Sequence, residues 1–345
     1  MRNQRKIGFW ISVCVFVLSV SFAFGDDFEG SIMTVRGAIP VSELGITLSH
    51  EHVLVDFVGA EESGYHRWVR DDVISVLVPY LEDIRKLGYK SLFECTPAFL
   101  GRDPVLLKRL SEFSGIQLIT NTGYYGARSN KYIPKEIQSR SADELAEKWI
   151  QEFQEGIEDT GIRPGFIKTS VDREDRLSVF HETLIRAACR THLATGMTIA
   201  SHTGASPVVF EIARILKEEG VAPEAFIWVH ATRDTSENQI RAARLGLWVS
   251  IDNLRDNANL LRANVDRLVA LKGAGLLNRV LISQDAGWYR PGEDGGGDFA
   301  PYTYVENALV PALRREDFEQ SDIDLLLIDN PGRAYALRVR SLAGG

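Results

Sequence analysis

Eight short β-rich runs, separated by stretches with helical apolar spacing, limit what this chain can fold into. They cover residues 46–52, 91–97, 116–125, 165–171, 197–204, 225–232, 247–253 and 280–287. Strand–helix alternation implies a parallel sheet, and eight repeats suit closure into a (β/α)8 TIM barrel. The alternative, an open doubly wound sheet, would place a glycine-rich phosphate loop after a strand, and the sequence has none. Several helices mark their own ends. Val73, Val76, Leu77, Tyr80, Leu81 and Ile84 share one helical face before Gly88, with Pro79 predicting a kink. Ser141 to Glu144 reads as a capping box. Ser206-Pro207 predicts an N-cap followed by a first-turn proline, with Gly220 closing that helix. Thr235 or Ser236 opens the next, which Gly246 ends. Residues 26–45 are expected to form an N-terminal hairpin, and "DNPGRAYAL" a closing helix.

The first 25 residues stand apart. Arg2, Arg5 and Lys6 precede an apolar run from Ile7 to about Val20, and Ala23-Phe24-Gly25 offers small residues for cleavage. The run is short for a transmembrane helix, so a cleaved signal peptide is expected. The protein would then be exported, periplasmic or secreted, with no membrane attachment after cleavage. Removing 25 of 345 residues leaves 320, read as a single barrel domain over 26–345. Three basic and no acidic residues leave with the signal, taking the net charge from −8 to −11. That balance, without any Lys/Arg stripe, argues against nucleic-acid binding. Cys95 and Cys189 remain, each in an apolar segment, which predicts buried free thiols rather than a disulfide framework.

Catalytic groups of a (β/α)8 barrel sit at the C-terminal ends of its strands. Here those ends read "SHEH", "IKTS", "ASHTG", "WVHAT" and "ISQDAG", and they hold four of the seven histidines. The other three, His66, His181 and His192, fall in loop or helix and are expected to be solvated or capping. His50 and His52 are two apart, so a strand presents both on one face with Glu51 turned to the wall. With His202, His230 and Asp285 they make five candidate ligands for a divalent transition metal. Five exceed what one tetrahedral ion with an open position needs, and suit two ions better. Two ions ~3.5–4 Å apart want a bridging anion. At the end of the fourth strand stands Lys168, an ammonium that cannot ligate a cation. Its amine could add CO2 to give a carbamate with one oxygen for each ion. The other reading is a lysine paired with an acid such as Asp172.

These motifs resemble the phosphotriesterase family of the amidohydrolase superfamily. The resemblance begins at "GITLSHEHV" (45–53), passes through the Lys168 strand, "SHTG", "VHAT" and the Asp285 strand, and reaches "LLLIDNPGRAYAL". It implies a barrel with a binuclear centre, most often of zinc, with manganese, cobalt or iron as alternatives. His50, His52 and Asp285 would hold the more buried ion and His202 and His230 the more exposed one. Carbamylated Lys168 (N6-carboxylysine) and a hydroxide would bridge them, with Asp285 taking the proton during attack. A homodimer is also compatible with the resemblance.

The chain departs from the family members that cleave phosphotriesters. Those carry an aspartate three residues past the strand-six histidine and a histidine after the strand-seven aspartate. Here Arg233 and Asn253 occupy these places, with Asp252 kept, and Gln284 replaces the histidine of "ISHD". Tyr125 matches a tyrosine of lactonase-like members. The expected substrate is therefore a small lactone or carboxylic ester, with phosphotriesters as the alternative and a metal-free binding barrel as a third reading. Tyr125, Arg233, Asn253 and Trp288 are the expected substrate contacts. Arg233 could meet an anionic substituent, or pair with Asp234 or Glu237 at the surface. The loop "GWYRPGEDGGGDFAPYTY" is expected to cover the site, with Trp288, Tyr289 and Arg290 against the pocket.

Overall fold

All eight β-rich runs form strands, and the strands join in chain order into a (β/α)8 barrel. The computed structural model describes residues 28–172 and 174–342. The expected signal segment lies outside them, and no described helix is long and apolar enough to cross a membrane. An antiparallel hairpin, β1 (Ser31–Thr34) and β2 (Gly37–Pro40), precedes the barrel. The barrel strands are β3 (Ile46–Leu54), β4 (Tyr89–Glu94), β5 (Gln117–Ile119) continued by β6 (Asn121–Thr122), β7 (Phe166–Ser170) and β8 (Thr198–His202). There follow β9 (Phe226–Val229), β10 (Trp248–Ile251), and β11 (Val280–Ile282) continued by β12 (Gly287–Tyr289). β11 pairs with β10 and β12 pairs with β3, so the last strand closes the ring on both sides. Between its two halves the seam is stitched by Asp285 N–H to His50 O (3.2 Å) and His52 N–H to Ala286 O (2.9 Å).

The strand period of two sorts side chains into two cores. Phe93, Ile119, Phe166, Ala200, Ile227, Val229, Trp248 and Leu281 point into the barrel, and Ile32, Leu44 and Tyr335 plug its lower end. The opposite faces, such as Leu92, Ile167, Ile199 and Trp228, pack against the helices. The inward column places Lys168 one pleat above Phe166 and His202 one above Ala200. β3 needs a correction of phase to do the same. Leu48 pairs with Leu92 but Glu51 with Glu94, so three steps on β3 match two on β4. This bulge lets Leu48 and Glu51 both face outward while His50 and His52 face in.

The helices follow their sequence signals with small shifts. α1 (Arg70–Lys86) runs unbroken through Pro79. α2 (Pro104–Ser114) and α3 (Ala142–Glu155) come next, α3 opening on the full capping box of Ser141 and Glu144. α4 (Val179–Thr195) precedes α5 (Ser206–Glu218), whose N-cap is Ala205, one residue before the predicted Ser206. The reason is that Ser206 N–H is taken by the Asp234 carboxylate rather than left to the helix's own cap. Thr235 caps α6 (Ser236–Arg244), and α7 (Ala258–Gly273) completes the ring's longer helices. α8 (Val310–Arg314), α9 (Gln320–Asp324) and α10 (Asn330–Tyr335) finish the chain, α10 being the predicted closing helix. Cys95 and Cys189 are buried free thiols.

Two histidines correct the expectation of solvent exposure. His181 is 2% exposed and His192 fully buried. His192 Nδ1 lies 2.8 Å from Met197 O, and its Nε2 accepts from Arg340 N–H at 2.9 Å. Only neutral imidazole offers one donor and one acceptor in this way, so its burial is fully satisfied.

Candidate metal centre

At the C-terminal mouth of the barrel lies a cavity of ≈ 820 Å³. All six candidate ligands and all four candidate substrate contacts line it: His50, His52, Lys168, His202, His230, Asp285, Tyr125, Arg233, Asn253 and Trp288. Ring centroids of His202 and His230 are 4.4 Å apart, and those of His50 and His230 are 5.0 Å apart. Ligand atoms of His50, His230 and Asp285 fall within 4.8 Å of one another. This trio draws on three strands and crosses the division into two ligand sets implied by the resemblance.

Two of the six candidate ligands sit in strained backbone. His230 (φ 61°) and Asp285 (φ 58°) are both left-handed, a conformation that costs an L side chain and persists where its surroundings over-determine it. Each follows a strand end, and the turn swings its side chain over the mouth instead of along the pleat. The Asp285 turn is clamped from β3. Glu51, fully buried, accepts from Ser283 Oγ (2.6 Å), Gln284 N–H (3.0 Å) and Ala286 N–H (2.7 Å). Burial lifts the Glu51 pKa to about 8, against these three donors. Glu51 therefore faces the wall as expected, and its partners there are one hydroxyl and two backbone N–H groups. Gly287 follows with φ 98°, and a Cβ on it would stand 1.8 Å from His52 O.

Second contacts fix the imidazoles. His230 Nδ1 is 2.8 Å from Asp252 Oδ1, His230 N–H donates to Asp252 Oδ2 (3.0 Å), and Ser250 Oγ donates to the same oxygen (2.7 Å). His50 Nδ1 lies 3.3 Å from Asp252 Oδ2. His52 Nδ1 meets Thr96 Oγ1 at 2.7 Å. With Nδ1 engaged, His230 and His52 each turn Nε2 to the cavity, the arrangement that buried metal-ligating histidines use. Burial and the Lys168 charge lower the His50 pKa to about 3. Burial, with His230 and Arg233 nearby, holds His202 well below its ordinary value. Both are neutral at pH 7, as ligands must be. Burial opposes ionisation of Asp252 and Asp285, yet the surrounding histidines hold both carboxylates below their ordinary range.

A carboxylate oxygen and a buried lysine test whether a cation fits. Asp285 Oδ1 is buried with no geometrically formed hydrogen bond among the described residues, and His52 Nε2 lies 3.2 Å from it. A buried carboxylate oxygen facing a cluster of imidazoles suits a metal ion. Lys168 is 1% exposed, and the contact its Nζ makes is His50 Nε2 at 3.4 Å. Asp172 does not pair with it; that carboxylate accepts from Ser129 N–H and lies 3.9 Å from His181 Nε2. The donor set of imidazoles, carboxylate and a lysine stem with no described acid beside it fits divalent metal. Tyr125 Oη is 3.2 Å from His202 Nδ1, and Arg233 Nη1 is 2.8 Å from His202 Nε2. Arg233 thus points to the site rather than to the surface acids.

Sequence reasoning missed several residues here. Asp252 was visible as a strand-seven end, but its hold on His230 required the register of β9 against β10. Arg128, Arg255 and Phe57 also line the cavity, from loops without a strand-end signature, as does Asp172, expected only as a partner for Lys168. Gln284, noted as a departure from the "ISHD" pattern, is fully buried, and its Oε1 accepts from Tyr304 and Val305 N–H, outside the cavity. Of the loop after strand eight, Trp288 lines the cavity, but Tyr289 is buried in β12 pairing with β3 and Arg290 turns to Glu293.

Residues 30–335 match the model of the phosphotriesterase family. The chain belongs to that family. A phosphotriesterase homology protein of Escherichia coli (strain K12) is 28% identical, covering 84% of this chain and 98% of its own length. An aryldialkylphosphatase of Saccharolobus solfataricus is 26% identical, covering 87% of this chain and 98% of its own. An N-acetyltaurine hydrolase of Danio rerio is 24% identical, covering 89% and 98%. The family depends on a binuclear metal centre, the chain is a hydrolase of that family, and a small-molecule substrate fits it.

Proposed function

We propose that the protein is an exported metal-dependent hydrolase of a small lactone or carboxylic ester. The observation that carries this reading is the convergence of four histidines, Lys168 and Asp285 from five strands on one cavity, with Asp285 Oδ1 buried there between His50 and His52. His50, His52, His202, His230 and Asp285 would hold two divalent ions, zinc first among them. Bound there, the ions would supply Lewis acidity, polarising the scissile C=O and bringing the pKa of water toward neutrality. Lys168 would join them after its Nζ lone pair adds to CO2 and the nitrogen releases a proton, leaving a carbamate.

The chain's own groups do the rest. Asp252 keeps the His230 ring proton on Nδ1, so Nε2 remains a lone pair. Asp285, ionised at pH 7, takes a proton at Oδ1 and returns it to the leaving alkoxide. Burial raises the Tyr125 pKa, so its phenol stays neutral and can donate to the carbonyl oxygen. Trp288, its ring 5.3 Å from His52 and 5.4 Å from Phe57, forms an apolar wall beside the reacting bond. Phosphotriester hydrolysis is the second reading, supported by the aryldialkylphosphatase relative.

The test is a screen of protein loaded with zinc or manganese against lactones, aryl esters and phosphotriesters, beside metal analysis of protein purified without chelator. About two ions per chain and a lactone or ester turned over at least tenfold faster than any phosphotriester are expected. A folded chain that takes up no metal, or one that cleaves phosphotriesters best, would defeat the reading.

A further inference from the structure

The cavity mouth carries more positive charge than ester hydrolysis requires. Arg128, Arg233 and Arg255 all line it, against one acid besides Asp285, Asp172. Asp172 is already engaged by Ser129 N–H. Yet the chain as a whole is acidic, with a net charge of −8. Three arginines at one opening therefore run against the charge of the protein and focus a positive field on whatever enters.

Arg128 also stands in backbone that resists it. Arg128, Ser129 and Asn130 have φ of 61°, 56° and 60°, three successive non-glycine residues in the left-handed region. Four contacts brace this turn. Ala127 N–H donates to Ser170 Oγ (2.7 Å), Ser129 N–H to Asp172 (3.2 Å) and Asn130 N–H to Gly126 O (3.0 Å). His181 Nε2 lies between Gly126 O (2.9 Å) and Asn130 Oδ1 (3.1 Å), which explains why that histidine is buried. Strain held by its surroundings accompanies functional placement. What this turn places is the Arg128 guanidinium, 5.4 Å above the ring of Phe57, another residue of the cavity wall. Its Nη1 approaches Tyr132 Oη at 3.4 Å, and no described carboxylate pairs with either Arg128 or Arg255. Arg255 follows the seventh strand and Arg128 the third, four apart in a ring of eight, so they stand on opposite sides of the mouth.

We propose that this rim selects substrates carrying an oxyanion remote from the bond cleaved, with Arg128 the principal contact and Arg255 opposite it. A guanidinium held over an aromatic ring can offer its donor fork to phosphate, sulfonate or carboxylate. This deepens the hydrolase reading and rests on it for the word substrate.

The experiment compares kcat and KM of the metal-loaded protein on matched lactones or esters, one neutral and the others bearing a phosphate, sulfonate or carboxylate. It is repeated with Arg128→Gln and Arg255→Gln. The expected result is a kcat/KM at least tenfold higher for one anionic series. Arg128→Gln should raise KM for that series about 10–100-fold with kcat within twofold, and leave the neutral substrate unchanged. Arg255→Gln should act in the same direction by less. The neutral substrate reports folding of each variant, and the ranking of the three anions names the group recognised. A second arm reads binding alone, by titration calorimetry of methanesulfonate, acetate and inorganic phosphate into wild type and Arg128→Gln. Hydrolysis without preference for an anion would overturn the proposal and leave the hydrolase standing. Anion binding that Arg128→Gln abolishes, in a protein that cleaves none of the esters, would overturn the hydrolase and keep the oxyanion site. Binding that both forms share equally would overturn the site.

Discussion

Replacing Asp252 by asparagine should convert a metal-ready histidine into a poor ligand without altering its position. Asp252 Oδ2 accepts from two donors, His230 N–H and Ser250 Oγ, while Oδ1 faces His230 Nδ1 at 2.8 Å. An asparagine has one oxygen and must keep it toward the two donors. Its NH2 then faces His230 Nδ1, which has to become an acceptor, and the ring proton moves to Nε2 on the cavity side. Hydrogen bonds to charged groups contribute about 1.5–3 kcal/mol. Loss of a partner of this kind typically costs about 10–100-fold in metal affinity, or roughly 1.4–2.7 kcal/mol. The two magnitudes agree, so Asp252→Asn should bind zinc about 10–100-fold more weakly in competition with a chromophoric chelator. The unfolding midpoint of the metal-free protein should stay close to wild type, because shape and two of the hydrogen bonds survive. Long-range 15N–1H correlation spectra of histidine-labelled protein should show the His230 proton on Nδ1 in wild type and on Nε2 in the variant. Unchanged zinc affinity together with a moved proton would refute the link between tautomer and binding. An unmoved proton would refute the hydrogen-bond argument itself.

Two further outcomes follow from buried groups. Lys168→Met keeps the stem and removes an amine that has no acid partner, so the metal-free protein should become more stable by about 1–3 kcal/mol in urea while hydrolysis is lost. Lys168→Ala should recover part of its activity when short carboxylic acids are added; full activity without them would end the bridging role. His192 concerns pH. Burial lowers its pKa from 6.5 to about 4, so the fold favours the neutral ring. Its contribution is complete above pH 6.5, falls as the pH drops and is gone by about pH 4, a loss of about 3 kcal/mol. His192→Gln can donate to Met197 O and accept from Arg340 N–H without titrating, so the difference in urea midpoint between wild type and variant should change between pH 7 and 4. Parallel pH profiles of the two metal-free proteins would contradict this assignment.

Much of the site was legible because barrel geometry turns a position along the chain into a position in space. A polar residue ending an apolar run marks the mouth, which is how His202, His230, Lys168 and Asp285 could be placed together before any coordinates. What stayed hidden depends on register. The β3 bulge exists only in relation to β4, and nothing local to "TLSHEHV" announces it. The left-handed turns at His230, Asp285 and Arg128 are imposed by tertiary contacts against local preference. His181 and His192 were misplaced for a related reason: their partners, Asn130 and Arg340, lie 51 and 148 residues away. Cap chemistry, by contrast, is local, and Ser141 and Thr235 appear where the sequence indicates.

The seam between the first and last strands has a temporal consequence. Asp285 reaches His50 and His230 only when residues 283–286 dock on Glu51, and these residues leave the ribosome after every other candidate ligand. A chain interrupted before them contains every histidine of the site and still lacks the assembled cluster. Ring closure and assembly of the ligand set are thus one event. Captured metal would therefore count completed barrels, and a truncated chain could not pass for a finished one by that measure.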